Sequence, residues 1–133
     1  KRSEEDLETL DRANEAIADP KSDLARFLQA NVDWHVGVAM ASHNELLIGF
    51  MTALSQAIYA GTENASFIDA TVREVTARAH KSITRAIRER DAEAAGRRMR
   101  RHVHTYASAA LKVDQRDSIS VGDPSPTVNT VDD

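Results

Sequence analysis

The chain of 133 residues has no cysteine, which removes disulfide scaffolds, thiolate zinc sites and cysteine nucleophiles at once. A metal, if there is one, must be held by His, Asp, Asn or Glu. Aromatic residues make up only 5%, and there are five Gly and three Pro, two of the prolines close to the C-terminus. That composition gives little support to a β-rich domain and favours helices, because Ala, Leu, Glu, Arg and Ile dominate. No apolar run approaches the roughly 20 residues of a membrane span, and no basic segment followed by an apolar block resembles a signal peptide. The cytoplasm is the expected location, with no membrane partner. Positive charge is not in surplus either: the net charge is −4, so this piece is not expected to bind nucleic acid by itself.

Helical periodicity is what the chain has in abundance. With 41% hydrophobic residues it is long enough for one domain with a single core. Leu7, Leu10, Ala13, Ala16 and Ile17 recur every three or four residues after the acidic turn Glu4-Glu5-Asp6, which predicts a first helix running to Ala18. A chain that opens directly on such a helix suggests an upstream segment. Asp19-Pro20 interrupts it, and Ser22 or Asp23 can cap a second helix with Leu24, Phe27, Leu28, Trp34 and Val38 on one face. His43-Asn44 reads as the next break, followed by a helix from Leu46 to Ala60 so apolar around its circumference that a central or interface position is expected. After the turn at Gly61-Thr62-Glu63-Asn64, a fourth helix is predicted from Phe67 to Ile87 and a fifth from Ala92, capped by Asp91, to about Leu111. Ala95, Met99, His102, Val103 and Tyr106 form the expected inner stripe of the fifth. The fold expected is an all-α antiparallel bundle of about five helices spanning residues 1–112. The polar stretch 113–133 reads as a disordered C-terminal tail.

Three of the five histidines fall on inner stripes. His80 and His102 each lie 11 residues from Asp91, so on a helical hairpin bent there both sit roughly 16 Å from the turn and level with each other. His35 lies on the second helix with Asn31 four residues before it on the same face, whereas Asp33 is about 160° away and should point outward. His43 sits at a helix end, and His104 faces away from His102. Asn31, His35, His80 and His102 therefore form a candidate metal set inside the bundle, with Asp33 the alternative oxygen donor if the helical phase differs. One inward histidine is usually just a hydrogen-bonded imidazole; three, two of them level, argue for a divalent cation, zinc first and nickel or another transition metal next. Trp34, Met40, Met51 and Met99 read as packing residues, and Arg97-Arg98 with Arg100-Arg101 as a solvated helix face.

Taken together, Asn31-Val32-Asp33-Trp34-His35, Ala41-Ser42-His43-Asn44-Glu45-Leu46-Leu47, His80-Lys81-Ser82-Ile83 with Ala86-Ile87, Arg90-Asp91 with Ala94, and Met99-Arg100-Arg101-His102 resemble the effector domain of GntR-type transcription regulators. More narrowly, they resemble the metal-containing, all-helical FCD domain of the FadR subfamily over about Glu4 to Lys112. The resemblance implies a bundle in which an aspartate and three histidines hold a divalent metal that small carboxylates reach. That aspartate falls on Asn31, and the histidines on His35, His80 and His102. It also implies a homodimer that contacts DNA only through an N-terminal winged helix-turn-helix domain, absent from this chain together with the family's first effector-domain helix.

With Asn in place of Asp, the metal charge lacks a protein counter-charge, which favours an anionic effector. Arg73, two turns before His80, is the candidate for a second anionic group of that effector. No catalytic residue is expected. The rival of another class, a metal-dependent hydrolase, lacks HExxH, and only Asp69 or Glu74 could act as base, with different helix phases. A metal-free helical interaction module would require all three histidines to be structural.

Overall fold

Each helix starts where a short polar side chain accepts a hydrogen bond from an otherwise free backbone N–H. In the computed structural model, which describes residues 2–63 and 68–120, five helices follow one another: α1 (Glu4–Ala18), α2 (Leu24–Met40), α3 (Glu45–Thr62), α4 (Ala70–Arg88) and α5 (Ala92–Ser120). Ser3 and Asp6 form a reciprocal capping box on α1, and Asp23, Asn44 and Asp69 cap α2, α3 and α4. Asp91 accepts from the Ala94 N–H at 2.9 Å to start α5. The expected start of the fourth helix at Phe67 lies outside the described residues, as does residue 121 onward of the expected tail. α5 continues past Leu111 to Ser120, since no Gly or Pro interrupts it before Gly122 and Pro124.

Two turns use residues in the left-handed region, His43 with φ 53° and Arg90 with φ 61°. At the second, the Asp91 N–H donates back to the Ala86 carbonyl at 2.9 Å, closing the end of α4 and reversing the chain into α5. α1 packs on both α2 and α4, α4 pairs with α5, and α3 lies along α2. Leu10 and Ile17 of α1, Phe27, Leu28 and Trp34 of α2, and Ile83 of α4 are buried together in one cluster. Fully burying each large side chain contributes about 1.5–3 kcal/mol.

The core has one polar knot. The Thr84 hydroxyl accepts from both Asn14 Nδ2 and the Trp34 indole N–H, each at 3.0 Å, tying α1, α2 and α4 together among buried side chains. α3 is not central: Ser55 is its one buried residue among those described, and Leu46 (84% exposed) and Phe50 (63%) face outward. Its all-round hydrophobicity leaves an apolar face exposed among the described residues rather than marking a core position. Val103 also turns out, at 54% exposure, because it follows the inward His102 by one residue and so by about 100° of helix.

Candidate metal centre

Three helices bring the inward histidines together. His35 projects from α2, His80 from α4 and His102 from α5, and one nitrogen of each lies within 4.8 Å of the others. The level pair meets closely, with His80 Nε2 and His102 Nε2 2.9 Å apart. The His35 ring stands nearly perpendicular to His80, centres 5.2 Å apart, and nearly parallel to His102, centres 5.8 Å apart. Two imidazole nitrogens on one tetrahedral zinc are separated by about 3.3 Å, so the observed spacings bracket what a shared ion requires. His80 Nδ1 is buried with no hydrogen-bond partner among the described residues, so ring stacking on Trp34 rather than a hydrogen bond orients this imidazole.

Burial sets the charge state of the cluster. His35 is lowered to about 4, mainly by burial and then by repulsion from His102. His80 is pushed well below its usual value by burial and by the two other imidazoles, and burial lowers His102. All three are neutral at pH 7, the form that offers a lone pair to a metal without displacing a proton.

Trp34 holds this arrangement from one side. Its ring is stacked on His80, centres 3.7 Å apart, and meets His35 edge-on at 4.9 Å. Thr84, one turn after His80, fixes the indole N–H. Sequence reading placed Trp34 in the packing but missed this support; the usable signal was His80 and Thr84 at positions i and i+4 on one face.

The remaining candidates separate clearly. Asn31 is buried on α2 one turn before His35, whereas Asp33 is exposed and accepts a hydrogen bond from Gln29 at 2.9 Å. His43 pairs with Asp6 at 3.0 Å, and His104 is exposed. Arg73 is already engaged, donating to the Ser22 carbonyl at 2.8 Å with its guanidinium 5.1 Å from the Phe27 ring centre. Asp69 caps α4 and Glu74 pairs with Arg78 on the surface, so neither candidate base faces the cluster.

The FCD domain family model matches residues 1–105. The chain belongs to the FCD domain family. FCD domains are typical of GntR-family transcription regulators; there they are effector-binding regulatory domains, often metal-binding and generally not enzymes. No curated protein and no solved structure matches this FCD domain at a significant level. Among the described residues, none of its helices is long and apolar enough to cross a membrane.

Proposed function

We propose that this FCD domain is the C-terminal effector-sensing and dimerising part of a FadR-subfamily GntR regulator, acting in the cytoplasm. A divalent metal, zinc foremost and nickel next, is held by His35, His80 and His102 with Asn31 as the oxygen donor. The observation that carries this reading is the convergence of three neutral imidazoles from three helices within 4.8 Å. Three histidines and an amide leave the ion's charge uncompensated, and a bound ion supplies a Lewis-acidic position for a small carboxylate effector. Arg73 is better read as a positioning residue of the α1–α2 turn than as an effector contact, because it donates to the Ser22 carbonyl in a recess lined by Ile17, Asp19 and Pro20 that none of the three histidines lines.

Dimerisation is supported by α3, whose Leu46, Leu47, Phe50, Leu54 and Ile58 are exposed on a helix with Glu45 as its only charge. Effector binding then changes operator affinity by favouring one arrangement of the two protomers over another, with DNA contacted by a separate domain. A hydrolase would need a base beside the metal, and the histidine cluster includes no carboxylate among the described residues.

Native mass spectrometry of the chain purified without a His tag tests the proposal in one measurement. The expected species is a dimer carrying one divalent ion per protomer, with a small acid retained unchanged. A metal-free protein that takes up neither zinc nor nickel overturns the reading.

A further inference from the structure

The arginines on either side of Met99 have a destination in the fold. Residues 70–112 hold eleven of the chain's 17 Lys and Arg and only four acids, although the whole chain has a net charge of −4. Three of those eleven cations lie around a recess of about 270 Å³ between α4 and α5. Val75 and Ala79 give it apolar walls. Arg78, Arg98 and Arg101 bring three guanidiniums to it, and Ser82, Thr105 and the buried His102 complete the lining, with no acid among them.

We infer that this recess is a binding site for a small polyanion bearing two or more carboxylate or phosphate groups, separate from the carboxylate position at the metal. The guanidinium fork matches both kinds of oxyanion with paired hydrogen bonds. Arg98 is pre-organised, since its Nη1 donates to the Ser82 carbonyl across the helix pair at 2.6 Å. Arg78 is available: its partner is Glu74 at 3.6 Å, both side chains exposed, a solvent-screened pairing that an incoming anion readily replaces. Arg101 is exposed. Three like charges around one recess repel one another until an anion lies between them, so the ligand gains their combined attraction.

Because His102 belongs both to the lining and to the histidine cluster, an anion here rests against a candidate metal ligand. Groups that hydrogen-bond or orient a ligating imidazole raise its affinity for the ion, so occupancy of the recess and of the metal centre reinforce each other.

Isothermal titration of the full chain with pyrophosphate and, separately, citrate tests the site, first on protein as purified and again after metal is stripped and the chelator dialysed away. Saturable binding that survives stripping and weakens with added salt is expected, and whichever probe binds more tightly identifies the oxyanion. Arg101→Ala and Arg78→Ala each weaken it about tenfold, and Arg101→Lys weakens it less. Arg85→Ala, an exposed charge on α4 outside the lining, leaves it unchanged. Binding of neither probe, binding lost on metal removal, or an equal loss in Arg85→Ala overturns the inference.

Discussion

The indole of Trp34 lies flat on the imidazole of His80, planes 8° from parallel, and is kept there by a hydrogen bond to Thr84 one turn further along α4. The candidate metal centre is therefore not an isolated trio of imidazoles. Its most buried member is sandwiched into the core, and the hydroxyl that fixes the indole also fixes Asn14 of α1.

Thr84→Val is the cleanest probe of that support. Valine keeps the shape of threonine but removes the acceptor for Asn14 Nδ2 and Trp34 Nε1, leaving two buried donors unpaired. At roughly 1–3 kcal/mol per orphaned group, an overall loss of about 2–6 kcal/mol is expected from urea denaturation. Thr84→Ser retains the hydroxyl and recovers most of it. A fully stable valine variant would mean that the knot contributes nothing.

His80→Ala and His102→Ala are each expected to reduce zinc affinity at least a hundredfold by competition titration, since each removes one of three converging nitrogens. Asp33→Ala is the control: its carboxylate holds Gln29 on the exposed side of α2, and metal affinity stays within about twofold. Loss of metal in Asp33→Ala alone would reassign the oxygen ligand.

Much of this was legible before the fold was known, for a geometric reason. The 22-residue spacing of His80 and His102 about Asp91 encodes a level pair on any tight hairpin, and the structure brings their Nε2 atoms to 2.9 Å. Helix caps at Asn44 and Asp91 were equally readable, because a cap is a local hydrogen bond. What periodicity could not reveal is how elements are arranged around one another. α3 has a composition that suits a central or an interface helix alike, and only the fold shows that it lies along α2 with Phe50 in the open; Arg73 has the helical phase of a ligand contact yet donates to the Ser22 carbonyl 51 residues away. The recess between α4 and α5 was hidden for the same reason, its residues being spread over two helices.

Asn31→Asp separates charge from geometry. An added carboxylate on the proposed donor one turn before His35 is expected to tighten zinc binding at least tenfold and to weaken carboxylate binding, because it supplies the counter-charge that the proposed effector would otherwise provide. Calorimetry with acetate on the zinc-loaded variant checks it. Unchanged or tighter acetate binding counts against the charge argument.

Metal-free protein should lose stability on mild acidification. The three buried histidines have folded-state values below the unfolded value near 6.5, so between those limits the unfolded chain binds more protons. Stability is then full above about pH 6.5 and falls as pH drops toward the folded values, about 4 for His35. From that shift His35 alone accounts for up to about 3 kcal/mol. Asp6, lowered chiefly by its hydrogen bond from the Ser3 backbone, contributes in a more acid window. Urea midpoints at pH 7.5 and pH 5 measure the difference, and equal midpoints would sink the assignment of neutral buried imidazoles.

Arg90→Gly should make the protein more stable while leaving the metal centre intact. Arg90 has φ 61°, a conformation that strains a side chain with a Cβ by about 1 kcal/mol and that glycine adopts freely. Glycine's greater freedom in the unfolded chain offsets part of the relief, so the expected gain is about 0.5 kcal/mol. The Asp91 N–H bond to the Ala86 carbonyl belongs to the backbone and is kept, so α4 and α5 still meet at the same register. His80 and His102 then remain level, and zinc affinity is unchanged within about twofold. A large loss of zinc affinity without loss of helix content would show that the Arg90 side chain, rather than the backbone turn, sets the register of the histidine pair.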